Sequence, residues 1–260
     1  MKKLFKDLLR SDDPALGMFI HLPSEVIVEV IGKTGYDYLI LDDEHGQMCE
    51  AEQVSLLRAC DGVDIATLIR VPGIDEVSIK HALDMGASGI VVPGISSAED
   101  ARKAVDYARF GPVGKRGNCA NTRANDHGLT RGNKEYFEWA NENIAVVLLV
   151  EGAEGVKNIE EIAKVPGYDA IFLGPVDLSV SLGIPGDLEN PLIEEAMERV
   201  AKAVRENGKY LGRYGFTLEQ ALRWKKGDAD FYIYGHIEID IYNASKNNSD
   251  AIKEKLNSGT

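Results

Sequence analysis

AVVLLVEGAEGVKNIEEIAKVPGYDAIFLGPVD, residues 145–177, contains the repeating unit of the fold. Two apolar runs, AVVLLVE (145–151) and AIFLGPVD (170–177), flank a stretch with a helical pattern. Neither run alternates polar with apolar residues, so both faces of each strand are expected to be buried, as in a parallel sheet. Each run also ends in an acid, Glu151 or Asp177, where the strand surfaces.

The unit recurs on both sides. Apolar runs stand at GMFIHL (17–22), YDYLILD (36–42), IATLIRV (65–71), GIVVPGI (89–95), KYLGRYGF (209–216) and FYIYGH (231–236). Amphipathic stretches between them open on Ser24, Ser97 and Thr217. SSAEDARKAVDYARF (96–110) places a serine cap and early acids before later basic residues, which suits a helix start and its dipole. Eight strand–helix alternations predict a (β/α)8 barrel, a TIM barrel. A doubly wound open sheet is the alternative, but no GxGxxG follows a strand and no GxxxxGK[ST] is present. We expect one domain over residues 1–260. One segment breaks the rhythm: 111–143 is polar and glycine-rich, carries Lys115, Arg116, Arg123, Arg131 and Lys134, and reads as a long loop. A lid or a subunit contact over an anionic site is its expected role.

With 260 residues, 44% of them hydrophobic, the chain can bury a full core. A net charge of −13 argues against nucleic-acid and membrane-surface partners, both anionic. No run approaches the ~18 apolar residues of a membrane span, and the start has no signal-peptide core. Three cysteines (Cys49, Cys60 and Cys119) form no CxxC pair, which points to reduced thiols in the cytoplasm.

In such a barrel the active site lies at the C-terminal ends of the strands. Asp42, Asp43, Glu44 and His45 follow the second strand, Arg70 ends the third, Glu151 the fifth, and Gly174, Pro175 and Asp177 the sixth. Charge thus gathers where the barrel opens. Glu151 and Asp177, without cysteine or histidine partners, suit a hard divalent cation, Mg²⁺ or Mn²⁺; a helix cap is the plainer use of such an acid. Arg70 can face a carboxylate or enolate oxygen with its planar fork, or form an ion pair with Asp42 or Glu44. His45, three residues after Asp42, can act as a base if that aspartate fixes its tautomer. His236 ends the last strand and can line the mouth.

These motifs together resemble the HpcH/HpaI family of metal-dependent 2-oxo acid aldolases. The resemblance is carried by LDDEHG (41–46), LIRVPG (68–73), ALDMGASGIVVP (82–93), GPVGKRG (111–117) with TRA (122–124), VEGAEGVKNIEEI (150–162) and FLGPVDLSVSLG (172–183). It implies a barrel of the phosphoenolpyruvate/pyruvate type and reversible cleavage of a 4-hydroxy-2-oxo acid into pyruvate and an aldehyde, as in the catabolism of aromatic compounds. Glu151 and Asp177 would bind the metal (Mg²⁺ or Mn²⁺, with Co²⁺ a possible substitute), and the metal would hold pyruvate. Arg70 would steady the enolate oxygen. His45, oriented by Asp42, would move the proton. Backbone around Gly174, Pro175 and Val176 would position the pyruvate carboxylate. Trimers or hexamers would form, with residues near Asp84 reaching a neighbouring site. A Schiff-base mechanism is disfavoured: neither 145–151 nor 170–177 contains lysine, and Lys209 begins its strand rather than ending it.

The chain departs from that pattern in three places. Leu149 stands where glutamine is usual, two residues before Glu151 and so on the same strand face. YIYGHIEID replaces a small or acidic end to the last strand, so Tyr234 and His236 would alter the substrate end. Cys119 replaces a glycine. Other readings are a decarboxylase of oxaloacetate, a lyase of a CoA ester, and a noncatalytic barrel that binds 2-oxo acids. No phosphate cradle follows the seventh and eighth strands, which disfavours a phosphorylated substrate.

Overall fold

The computed structural model describes residues 2–258; the expected domain over 1–260 also takes in Met1, Gly259 and Thr260, which lie outside the described residues. All eight expected strands form and close into a parallel barrel in chain order. They are β1 (Ala15–Ile20), β2 (Tyr38–Asp42), β3 (Ala66–Arg70), β4 (Gly89–Val92), β5 (Ala145–Val150), β6 (Ala170–Leu173), β7 (Tyr210–Gly215) and β8 (Phe231–His236). The helices are α1 (Phe5–Leu9), α2 (Glu25–Ile31), α3 (Glu50–Gly62), α4 (Glu76–Asp84), α5 (Ala98–Ala108), α6 (Asn133–Asn143), α7 (Ala153–Lys157), α8 (Ile159–Ala163), α9 (Pro175–Ser181), α10 (Pro191–Glu206), α11 (Leu218–Ala221) and α12 (Ile237–Asn257). Ser24, Ser97 and Thr217 cap α2, α5 and α11 as expected, each accepting a hydrogen bond from a backbone N–H three residues on.

Successive residues of a strand face opposite ways, and that period builds two cores. Tyr38, Ile40, Ala66, Leu68, Val91, Val147, Leu149, Phe172 and Phe231 fill the barrel. Leu39, Leu41, Ile69, Val146, Leu148 and Ile171 face the helices. Phe5 of α1 joins the inner core, its ring 4.7 Å from that of Tyr38 and 5.4 Å from that of Phe231. Gly17 makes room for the Tyr38 ring, which a Cβ there would meet at 2.3 Å.

The long segment differs from expectation. Its second part is helix α6, which buries Tyr136 and Ala140 and leads directly into β5. The remainder joins the end of α5 to the start of α6, and so lies at the N-terminal end of the barrel, away from the strand ends that form the rim. Its cations are engaged there: Lys115 with Asp106, Arg116 with Asp84, and Arg123 with Asp61. Arg131 lies 4.3 Å over the Trp139 ring. A lid over this chain's own rim is thereby ruled out. Among the described residues, no helix is long and apolar enough to cross a membrane.

Candidate active site

The inward period that places Phe19, Ile40, Leu68, Leu149 and Phe172 in the barrel continues two residues further to His21, Asp42, Arg70, Glu151 and Gly174. The rim is therefore polar for the same reason that the interior is apolar. A cavity of about 200 Å³ opens there, lined by His21, His45, Arg70, Glu151, Asp177 and His236, with Gly174, Pro175 and Val176 along one side. Phe19, Leu149, Phe172, Tyr214 and Phe216 supply an apolar wall.

Asp42 is fully buried and organises one side of the cavity. Arg70 donates to it twice, from Nε at 2.8 Å and from Nη2 at 2.5 Å. His21 Nε2 lies 2.7 Å from Oδ2. The backbone N–H groups of Glu44 and His45 donate to Oδ1. Burial pushes this carboxyl up, but hydrogen bonds from His21 and Arg70, with their charges, outweigh it and hold Asp42 far below the usual carboxylate range. The Arg70 guanidinium packs over the Phe19 ring at 4.7 Å.

This arrangement corrects one expectation. Asp42 does not orient the ring of His45. Its oxygens are taken by Arg70, His21 and two backbone N–H groups, while the His45 ring stands at the cavity mouth, its side chain 64% exposed and 3.8 Å from Glu44. Asp42 positions Arg70 instead. The partner that sequence reasoning missed is His21. The signal was present, since His21 stands two residues after the inward-facing Phe19.

Glu151 accepts a hydrogen bond at 2.7 Å from the Gly94 N–H. Burial, then the nearby charges of Glu44 and Asp177, push its carboxyl up to about 7 despite that bond and the presence of Arg70. Glu44 is likewise raised, chiefly by burial. Its Oε2 is buried and forms an ion pair with Arg70 Nη1 at 3.2 Å, but has no hydrogen-bond partner. Gly174 must be small: a Cβ there would come 2.9 Å from Glu151 Cβ and 3.1 Å from Leu149 Cδ1.

The last strand also differs in detail. The β1–β8 pairing runs Gly17 to Ile233, then Phe19 to His236, so β8 carries one extra residue. Gly235, at φ 68°, takes up the irregularity. His236 thereby faces the cavity, whereas Tyr234 is not among the residues that line it. The Tyr214 hydroxyl is 2.7 Å from His236 Nε2. Burial, reinforced by the neighbouring His21, pushes the His236 imidazole down to about 4, so the ring is neutral.

The sequence matches the profile of the HpcH/HpaI aldolase/citrate lyase family over residues 15–226. A 5-keto-4-deoxy-D-glucarate aldolase of Klebsiella pneumoniae subsp. pneumoniae is 31% identical over 251 residues, 96% of each chain. A hydroxypyruvate/pyruvate aldolase of Paraburkholderia phytofirmans is 32% identical over 232 residues, 87% of each. Among solved structures, an HpcH/HpaI aldolase/citrate lyase family protein from Burkholderia cenocepacia J2315 superposes with a TM-score of 0.89. It is 31% identical, and the match covers 95% of this chain and 98% of that one.

Proposed function

The chain belongs to the HpcH/HpaI aldolase/citrate lyase family and is an enzyme with lyase activity, and on that premise we propose that it is a divalent-cation-dependent aldolase. Its substrate would be a 4-hydroxy-2-oxo acid, cleaved reversibly into pyruvate and an aldehyde. The observation that carries this reading is the convergence of Glu151, Asp177, Arg70 and His45 on one cavity with an apolar wall. The donor set fits a hard cation. Glu44 and Asp177 both raise the Glu151 carboxyl, and Glu44 Oε2 is buried without a hydrogen-bond partner. Crowded carboxylates of this kind are relieved by a positive charge among them.

Glu151 and Asp177 would hold the ion, with Mg²⁺ or Mn²⁺ favoured by all-oxygen ligands and Co²⁺ able to substitute. When bound, such an ion polarises a keto oxygen and makes the carbon–carbon bond two atoms away easier to break. The residues of the chain do the rest. Asp42 engages two of the Arg70 N–H groups, and Nη1, whose ion pair with Glu44 at 3.2 Å lacks hydrogen-bond alignment, would turn its N–H groups to the oxygen on which negative charge develops. His45, whose exposed ring lines the cavity, moves the proton of the 4-hydroxyl. Backbone around Gly174, Pro175 and Val176, which lines one side of the cavity, would position the pyruvate carboxylate.

Assembly into a homo-oligomer, a trimer or hexamer, is part of the same proposal. Helix α12 has one buried residue, Ile237, and exposes Ile241, Tyr242, Ile252 and Leu256. A second copy is a natural cover for such a face. Asp84 and Arg116, paired at 2.6 Å on the N-terminal side of the barrel, are where a neighbour would be met. A cytoplasmic setting with reduced thiols at Cys49, Cys60 and Cys119 is part of the same proposal.

The test is pyruvate release from a 4-hydroxy-2-oxo acid. Excess chelator should abolish it and Mn²⁺ should restore it. Undiminished release in chelator would remove the cation from the mechanism, and no release from any such acid would remove the aldolase reading.

A further inference from the structure

His21, His236 and Glu238 form a second cluster, on β8, the residue after β1, and the first turn of α12. One ligand atom from each lies within 4.8 Å of the others. His21 Nδ1 is 3.4 Å from His236 Nδ1 and 3.6 Å from Glu238 Oε2. These separations are long for hydrogen bonds between such groups. They match the edge of a coordination tetrahedron with bonds of about 2.0–2.1 Å, an edge of roughly 3.3 Å.

Three further features favour an ion. Both carboxylate oxygens of Glu238 are buried without a hydrogen-bond partner. His21 presents Nε2 to Asp42 at 2.7 Å, which leaves the Nδ1 lone pair facing the cluster. His236 is anchored in the same way, with Nε2 at 2.7 Å from the Tyr214 hydroxyl and Nδ1 facing His21. A carboxylate behind a ligating histidine is the usual outer support of a metal-bound imidazole.

We propose that His21 Nδ1, His236 Nδ1 and the Glu238 carboxylate bind a transition-metal ion of the Zn²⁺ class, with water completing a four-coordinate site. Two imidazoles and one carboxylate select such an ion over Mg²⁺, which prefers oxygen ligands. The site shares no ligand with Glu151 and Asp177, so it stands or falls independently of the aldolase reading. An ion here would tie β1 to the start of α12 and hold His21 against Asp42, behind Arg70.

Co²⁺ is the probe, because four-coordinate Co²⁺ with nitrogen ligands absorbs visible light far more strongly than six-coordinate Co²⁺ among oxygens. The full-length protein is titrated with Co²⁺ in excess Mg²⁺. One equivalent per chain should produce the strong visible bands, and Zn²⁺ should displace it with their loss. His236→Asn should abolish the bands, and Glu238→Gln should weaken Co²⁺ binding at least tenfold. Circular dichroism checks that each variant is folded; Glu238→Gln, at the start of a largely exposed helix, carries the test should His236→Asn misfold. Failure of the wild type to develop the bands, bands in a folded His236→Asn variant, or unchanged Co²⁺ affinity in folded Glu238→Gln, would overturn the site.

Discussion

Asp42 and Arg70 are register partners on β2 and β3, and the pairing sets a buried carboxylate beside a buried guanidinium at the same height of the barrel. Two hydrogen bonds join them, and His21 approaches the same carboxylate from β1. Removing one partner strands the other's charge away from water. Asp42→Ala is therefore expected to destabilise the fold by about 3–5 kcal/mol, read from urea unfolding in chelator. A loss under about 1 kcal/mol would mean that solvent screens the pair.

Arg70→Lys separates charge from geometry. Lysine keeps the positive charge but lacks the planar fork that meets Asp42 with two N–H groups and leaves Nη1 for a ligand. We expect kcat/KM for aldol cleavage to fall about 100-fold or more, mostly in kcat, if the guanidinium acts on charge that develops in the transition state. A change confined to KM would assign Arg70 to ground-state binding.

His21 makes stability depend on pH. Its hydrogen bond to Asp42, with the charges of Asp42 and Glu238, raises its pKa against the opposing effect of burial. A raised histidine contributes fully below its unfolded value of about 6.5, and that contribution is lost as pH rises through the folded value. The difference in unfolding free energy between wild type and His21→Gln, measured in chelator, should shrink as pH climbs from about 6 towards 9. A difference that stays flat or grows would contradict the ion pair.

These residues also show why some of the architecture was legible from the chain and some was not. Apolar runs such as AVVLLVE mark buried strands directly, and a period of two carries the inward face from Leu149 to Glu151 and from Leu68 to Arg70. Closeness along the chain misled for His45, three residues from Asp42 yet bonded to it only through its backbone N–H. His21 follows β1 by one residue and meets Asp42 only when β1 pairs with β2. The shift at Gly235, which turns His236 inward, depends on how β8 pairs with β1. Helix α6 was hidden by acidic and amide residues around the few positions it buries.

Glu151 should make cation binding pH-dependent. Its carboxyl is pushed up to about 7, so in the empty site it holds its proton over much of the range from about 4.5 to 7. The folded chain then carries more protons than the unfolded one, and this group's contribution to stability falls as pH rises through that range. A divalent ion must displace the proton. Mn²⁺ affinity should rise by up to about tenfold per pH unit below 7 and level off above it. Calorimetry in buffers of different ionisation enthalpy should detect the released proton. Glu151→Gln should lose both the proton release and most of the affinity; binding indifferent to pH in the wild type would place the ion elsewhere.

Leu149 bears on the choice of aldehyde. It faces the cavity beside Phe19 and Phe172, and its Cδ1 lies near Gly174, where the pyruvate half is proposed to sit. A hydroxyl pressed against this wall would lose hydrogen bonds to water without replacement. Apolar pockets reject an added hydroxyl by roughly 100-fold at most, so discrimination up to that size is expected between two aldehydes of similar size, one apolar and one hydroxylated. Leu149→Gln, close in volume, would place an amide at the wall and should narrow the ratio of kcat/KM values about tenfold, chiefly by improving the hydroxylated aldehyde. Both values come from condensation with pyruvate in the presence of Mn²⁺. A ratio that Leu149→Gln leaves unchanged would show that the aldehyde lies away from β5, against the Tyr214 and Phe216 side of the cavity.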